Sequence, residues 1–430
     1  MIQRTQYLQQ LIDSMGNGLV KTITGMRRAG KSVLLRDIFR QWLKDNGVKD
    51  DHIIYLSFDD MEIEELRKPK EFLRMVRSRI IDDKIHYLLL DEVQLMDRFV
   101  EVLLSLMHQE VLDIFVTGSN SRFLSTDIVT EFRGRSQEIH MLPLTFSEYL
   151  SAFDGTKDEA WRDYVEFGGL PQILSFNTRQ QKITYLSNLV EAVYVKDIVE
   201  RNKLKNGDGL KELLRILASS MCSPCNPTRI SKTFESVEKK HIPSETIARH
   251  IRYFSDSFLI AEALRYDVKG RKYIGTETKY YFTDMGLRNS ILGFRQIEEN
   301  HLMENILYNE LRYRGYNVDV GMIEIMERND DGKQVRKRLE VDFVANQGSK
   351  RYYIQSAFRM EDDAKVIQEK KSLINVPDSF KKIIIEKDLI APHYDNDGIL
   401  RIGLFDFLLN PDSLELYNSQ HHRLHFPSGL

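Results

Sequence analysis

Along the first 150 residues, short apolar runs alternate with longer stretches in which apolar residues recur every three or four positions. The runs are Gly18-Leu19-Val20-Lys21-Thr22-Ile23-Thr24, Asp51-His52-Ile53-Ile54-Tyr55-Leu56-Ser57-Phe58-Asp59, Ile85-His86-Tyr87-Leu88-Leu89-Leu90-Asp91-Glu92 and Leu112-Asp113-Ile114-Phe115-Val116-Thr117-Gly118-Ser119-Asn120. Near-continuous apolar runs of this length suit parallel strands buried on both faces. Residues 32–43 carry their apolar side chains at helical spacing, and residues 1–17 put Tyr7, Leu8, Leu11 and Ile12 on one side of a helix. A last short strand, a turn and a helix are expected within residues 141–150. Strand and helix in alternation predict an α/β domain with an open parallel sheet, whose ligand side lies at the carboxyl ends of the strands.

Beyond residue 150 the rhythm changes. Residues 151–207 read as helices, broken by the turn Phe167-Gly168-Gly169-Leu170-Pro171, with Asn206-Gly207-Asp208-Gly209 as a linker. Three helical runs follow, the third opening at Ser244, and then two strand-like runs at 259–264 and 279–283 flank Lys269-Gly270-Arg271-Lys272. Three helices and a basic hairpin predict a winged helix-turn-helix, with Arg249 and Arg252 on the third helix and the basic tip as the wing. Contact with duplex DNA and packing against protein are the two uses open to it. From residue 293 a helix over 299–311 precedes strands at 318–321, 339–345, 351–357 and 382–385, a closing element at 403–409 and a basic tail from Gln420. Four domains are therefore expected: 1–150, 151–207, 208–292 and 293–430.

Bulk composition narrows the classes. A length of 430 residues exceeds one ordinary core, and 42% hydrophobic residues support packed domains over disorder. A net charge of −3 excludes a global basic field, so nucleic acid would have to meet a local patch. Cys222 and Cys225 form a C-x-x-C with no second pair, which favours structural thiols over zinc ligands. No signal-peptide core and no run of roughly 18 apolar residues is present, so a cytoplasmic setting without membrane contact is expected.

Candidate chemistry begins at Gly25-Met26-Arg27-Arg28-Ala29-Gly30-Lys31-Ser32, which fits G-x-x-x-x-G-K-[ST] between a strand and a helix. Backbone N–H groups at a helix N-terminus favour a phosphate there. Lys31 is expected on the β- and γ-phosphates and Ser32 on Mg²⁺, with Gly25, Arg27, Arg28, Ala29, Gly30 and Val33 completing the nucleotide-binding stretch. Asp91 and Glu92 end an apolar strand 60 positions after Lys31. Asp91 is suited to orient Mg²⁺ and Glu92 to act as general base on water. Ser119 or Asn120 can meet the γ-phosphate or that water, and Asn120 is carried as the catalytic candidate. Of Arg133 and Arg135, Arg135 is favoured to stabilise the transferred charge.

The order G-M-R-R-A-G-K-S, L-L-L-D-E-V-Q, V-T-G-S-N-S, F-R-G-R and P-L-T-F-S-E-Y resembles a prokaryotic family of P-loop ATPases of the AAA+/STAND type. The likeness spans nearly the whole chain, its second half being similar to the C-terminal region that accompanies that module. It implies a P-loop NTPase sheet using ATP and Mg²⁺, in which Glu92 beside Asp91 activates water. It also implies a polar sensor at Ser119 and Asn120, a GR pair at Arg135, and a helical lid starting at Gly168-Gly169. Residues 293–430 resemble the restriction-endonuclease-like PD-(D/E)xK fold, with Glu304 as the helix acid and Asp342 as the strand acid. Gln355 replaces the third acid and Ala357 the lysine. A nuclease of this kind needs both carboxylates and lysine, so a domain that binds nucleic acid or a partner protein is expected in preference to one that cuts. The expected function is a weak ATPase and conformational switch. The alternatives are a regulator that binds duplex DNA, in which ATP sets conformation, and, less favoured, a metal-dependent nuclease.

Overall fold

The computed structural model describes residues 2–118, 132, 134–204, 208–237, 241–295, 297–328, 332–358, 363–389 and 391–416. Its N-terminal part is a five-stranded sheet of β1 (Val20–Thr24), β2 (Ile53–Ser57), β3 (His86–Asp91), β4 (Leu112–Thr117) and β5 (Ser136–His140). The order is β2-β3-β4-β1-β5 and every neighbouring pair is parallel. Successive strand residues alternate between faces, which is why the runs are apolar throughout. Leu88 and Leu90, with Ile114 and Val116, pack on Phe72 and Val76 of helix Pro69–Arg79 and on Val100 and Leu103 of helix Phe99–Leu106. Leu89, Phe115 and Ile23 face the other way, onto Leu34, Leu35, Ile38 and Phe39 of the helix at 31–45 and onto Tyr7 and Leu11 of helix Thr5–Asp13. The 31–45 helix is α over Lys31–Val33, π over Leu34–Phe39 and α again over Arg40–Asp45.

The fifth strand lies one step earlier than the sequence pattern suggests. Ser136–His140 buries one apolar side chain, Ile139, so this edge strand has almost no apolar alternation to read. Met141 follows it, donating its N–H to the Thr24 carbonyl at 2.8 Å. Helix Phe146–Ala152 then starts at a capping box of Thr145 and Glu148.

The remaining strands form one nine-stranded mixed sheet. They are β6 (Pro224–Cys225), β7 (Ile260–Asp267), β8 (Lys272–Phe282), β9 (Asn317–Arg328), β10 (Gln334–Gln347), β11 (Lys350–Ala357), β12 (Lys381–Glu386), β13 (His393–Tyr394) and β14 (Leu400–Gly403). The order is β13-β14-β12-β11-β10-β9-β7-β8-β6. Helices Asp208–Ser219, Pro227–Val237 and Ser244–Asp256 precede the β7–β8 hairpin. That hairpin does not end in solvent as a separate layer: β7 pairs in parallel with β9, from Arg265↔Val320 to Asp267↔Met322. One buried core runs from Met26 and Ala29 in the N-terminal part through Phe167, Leu214, Phe254 and Tyr281 to Phe343 and Ile383. Cys222 and Cys225 are buried free thiols, and burial raises both above the ordinary thiol range. Among the described residues no helix is long and apolar enough to cross a membrane. Asn206 and Gly207 of the expected linker and the tail from Gln420 lie outside the described residues.

Candidate nucleotide site

β1 ends at Thr24 and the chain turns through Gly25, with φ 134°, and Gly30, with φ 101°. Both values favour glycine, and a Cβ on Gly25 would meet the Met141 carbonyl oxygen at 2.1 Å. The loop delivers Lys31 as the first residue of the following helix. Its Nζ donates to the carbonyls of Gly25 and Met26, both at 2.9 Å. Burial brings the ammonium down to about 8, although Glu92 and then Asp91 pull the other way. Ser32 is half-buried, Ala29 buried, and Arg28 and Val33 exposed.

Asp91 closes β3 beside Thr117, the last residue of β4. The Thr117 hydroxyl donates to Asp91 Oδ1 and accepts the Glu92 N–H at 3.1 Å. Ser57 Oγ, at the end of β2, lies 3.4 Å from Asp91 Oδ2. Glu92 has φ 51°, which turns its side chain off the strand line, and Gln94 donates to its Oε2. Lys31, Ser32, Asp91 and Glu92 are thus gathered at the carboxyl ends of neighbouring strands. Ser119, Asn120 and Arg133 lie outside the described residues. Arg135 is exposed and precedes β5, so the whole five-residue strand, roughly 16 Å at about 3.3 Å per residue, separates it from the loop end of the sheet. The structure does not bring Arg135 to Lys31 within one chain.

Two contacts tie this loop to the helices beyond it. Arg27 Nη2 donates to Asp197 Oδ1 at 2.9 Å, in helix Lys196–Arg201, and the Tyr194 hydroxyl donates to the Arg27 carbonyl at 3.3 Å. The Gly168-Gly169 turn wraps a carboxylate from the opposite half. Asp284 accepts the N–H of Gly169 at 2.8 Å and of Leu287 at 3.0 Å, and a Cβ on Gly168 would meet that carboxylate at 2.4 Å. Burial raises the Asp284 carboxyl to about 6.

Glu304, Asp342 and Gln355 do come together in the C-terminal part. Asp342 Oδ2 accepts the Ser356 N–H at 2.8 Å, and Gln355 Oε1 lies 3.4 Å from the Asp342 nitrogen. Lys279 of β8 joins them, with Nζ 3.0 Å from Glu304 Oε1 and 2.7 Å from Glu340 Oε1.

Residues 17–150 match the family described as an AAA domain, and residues 158–298 match a domain of unknown function, DUF8612. An uncharacterized protein of Haemophilus influenzae is 32% identical over 419 residues, covering 95% of this chain and 99% of that protein. The chain belongs to the family of that Haemophilus influenzae protein. An uncharacterized protein of Methanocaldococcus jannaschii is 26% identical over 362 residues, 80% of this chain and 76% of its own. The solved Aeropyrum pernix ORC1 protein in complex with DNA overlaps at TM-score 0.28 and 13% identity, over 68% of this chain and 93% of its own, too loosely to carry an argument.

The AAA-domain match over 17–150 takes in the loop, Asp91, Glu92 and Thr117, and makes the parallel sheet a nucleotide-binding P-loop NTPase fold. Thr117, Ser57, Asp197 and Asp284 are not visible as candidates in the sequence. Thr117 follows Val116, the residue of β4 that pairs with Leu90 of β3, and this register is not readable from the sequence.

Proposed function

We propose that the protein is a Mg²⁺-dependent ATP-binding protein with slow ATPase activity, which acts as a switch coupling nucleotide state to its C-terminal half. Lys31 carries this reading: a buried ammonium whose hydrogen bonds go to two backbone carbonyls, beside two strand-end acids. Such a cation suits phosphate oxygens. Lys31 and the backbone of residues 27–33 hold the phosphates, and Ser32 and Asp91 hold Mg²⁺. The metal, when bound, supplies charge neutralisation on the phosphates. Glu92 accepts the proton of the attacking water, Thr117 fixes the Asp91–Glu92 pair, and Asn120 is the sensor candidate. Arg135, remote in its own chain, serves a neighbouring copy.

The coupling follows from shared packing. Met26 and Ala29 belong to the same buried core as the helices at 151–207 and the sheet beyond, and Arg27 is tied to Asp197. In this layout 1–150 is the ATPase domain, 151–207 its helical lid, 208–292 a winged-helix-like domain and 293–430 a PD-(D/E)xK-like domain, in a cytoplasmic protein with a protein partner still to be named. The test is Lys31→Ala against Glu92→Gln, with labelled ATP binding and turnover measured for both. Lys31→Ala is expected to lose binding, while Glu92→Gln binds and fails to turn over. Unchanged turnover in Lys31→Ala would sink the site.

A second reading, a regulator that binds duplex DNA, draws on the exposed Arg249 and Arg252 of helix Ser244–Asp256 and the exposed tip at 269–271. Labelled duplex titrated at several salt concentrations, with and without ATP, decides it. Absence of salt-dependent binding in every state removes it.

A further inference from the structure

Lys279 is buried, and its ammonium reaches carboxylates from two other elements, Glu304 of helix Glu299–Tyr313 and Glu340 of β10. The Tyr281 hydroxyl donates to the same Glu304 oxygen at 2.9 Å. Asp342 sits two residues from Glu340 and is nine-tenths buried. Glu304 and Asp342 are the acids that a metal-dependent PD-(D/E)xK domain would use, so the residues can be tested against a divalent ion. They do not fit one. Glu304 Oε1 already receives two donors, Asp342 Oδ2 receives the Ser356 N–H, and Gln355 Oε1 faces the Asp342 N–H and the Ser372 hydroxyl. Among the described residues, the group whose ligand atoms all lie within 4.8 Å of one another is elsewhere, at His52, Asp82 and His86. The expected lysine position, Ala357, is buried in an apolar cluster.

The cation has instead arrived from a different strand. We propose that Lys279 is the resident cation of the Glu304–Glu340–Asp342 site, so that its ammonium stands where a divalent metal would and the site is a metal centre closed by the β7–β8 hairpin. This assignment rests on the PD-(D/E)xK-like reading of residues 293–430 and is independent of ATP binding. Two consequences follow. The intact protein has no metal-dependent chemistry at this site, because the ammonium that pairs with Glu304 and Glu340, with Asp342 acting on it by charge, stays in place while β8 stays in the sheet. Loss of that ammonium leaves three carboxylates facing one space, a combination that attracts a hard divalent cation. β8 also leads directly into Asp284, five residues after Lys279, which is held by the Gly168-Gly169 turn. The strand that closes the carboxylate site is thus anchored at its far end to the helices beside the phosphate loop.

The experiment is Mn²⁺ binding to the full chain without nucleotide, followed by the EPR signal of free Mn²⁺. Wild type and Asp342→Asn are expected to bind Mn²⁺ equally. Lys279→Ala and Lys279→Gln, with folding checked by circular dichroism, are expected to gain one ion per chain bound about tenfold tighter than any wild-type site. That ion should be lost again in Lys279→Ala combined with Asp342→Asn. A wild-type Mn²⁺ site abolished by Asp342→Asn overturns the proposal, as does a folded Lys279 variant that gains no ion. Should neither Lys279 variant fold, the comparison of wild type with Asp342→Asn decides by itself: equal binding supports a closed site, and loss overturns it.

Discussion

Lys31 and Lys279 are both buried, at 5% and 3% exposure, and yet their ammonium groups are pushed in opposite directions. Lys31 is lowered to about 8, because burial dominates and, among the described residues, its hydrogen bonds go to backbone carbonyls. For Lys279 burial also acts to lower, but Glu304, Asp342 and Glu340 outweigh it and hold the ammonium above the ordinary lysine value. The difference is one of completeness. Charges removed from water require partners, and a cation without one costs free energy in the folded chain. Lys279 has its anions in the protein. Lys31 has carbonyl oxygens, so its full partner must come from outside. A buried lysine therefore marks a binding site when its neighbours undersupply negative charge, and a structural pin when they supply it.

The largest test of that contrast is stability. Lys279→Met leaves Glu304, Glu340 and Asp342 without their cation and should cost about 3–5 kcal/mol, the usual result of stripping one partner from a buried pair. Lys31→Met removes an underserved cation and two bonds to carbonyls, so the ligand-free protein should shift by no more than about 1 kcal/mol. Urea unfolding of the two variants without nucleotide checks this. Equal losses would mean that both lysines are structural.

His140 is a third case: its Nδ1 is 3.2 Å from Thr24 Oγ1 and its ring packs on Phe258 at 4.8 Å. Burial, then Arg312 and Lys31, push it down to about 3 from 6.5. The folded protein thus keeps this ring neutral while the unfolded chain takes up a proton. Stability contributed by the neutral ring is complete above pH 6.5 and declines as the pH falls toward 3. Between pH 6.5 and about pH 5 the loss should be about 2 kcal/mol. His140→Gln should flatten that part of the urea midpoint against pH, and an unchanged slope would place the titration elsewhere.

The phosphate loop was legible because its requirements are local. A turn needing positive φ at Gly25 and Gly30, a lysine and a hydroxyl occupy eight consecutive residues, and the flanking strand and helix announce themselves by period. The strands carrying Asp91 and Asp342 were legible for the same reason. What joins the parts was not. Arg27 meets Asp197 across 170 positions, and Gly169 meets Asp284 across 115. Neither pair leaves a periodic trace, because one polar contact between distant elements alters no pattern in either. Lys279 is the first residue of the strand-like run 279–283, and only the tertiary placement of β8 brings it to Glu304 and Glu340. Thr117 carries no mark in the sequence, because strand register, which sequence alone does not supply, decides that it stands beside Asp91.

Thr117 supplies the next test. Its hydroxyl bridges Asp91 and the Glu92 backbone, without a side chain of its own in the loop. Thr117→Val keeps the shape and removes both bonds. Turnover should fall about 10–100-fold, as when an outer partner of a metal ligand is lost, with nucleotide affinity changed much less. Equal losses in affinity and turnover would make Thr117 a structural residue only.

The smallest effect belongs to Arg27, and it bears most directly on how Lys31 differs from Lys279. Arg27 and Asp197 are 34% and 26% exposed, so their ion pair is screened and worth less than about 1 kcal/mol to the ligand-free protein. Asp197→Asn should barely move the urea midpoint. Its effect on nucleotide is of another kind. On the proposed function, an arginine of the phosphate loop held by the protein's own carboxylate is withheld in part from phosphate, and helix Lys196–Arg201, which carries Asp197, would compete with the nucleotide for it. Freed by Asp197→Asn, Arg27 should tighten ATP binding about two- to fivefold, the equivalent of that same fraction of a kcal/mol, with the gain shrinking at high salt. Weaker binding would show the reverse, that Asp197 holds the loop in its binding shape. Either sign links helix Lys196–Arg201 and the loop through one ion pair, whereas unchanged affinity would leave the Tyr194–Arg27 hydrogen bond and the shared core of Met26 and Ala29 to join them among the described residues.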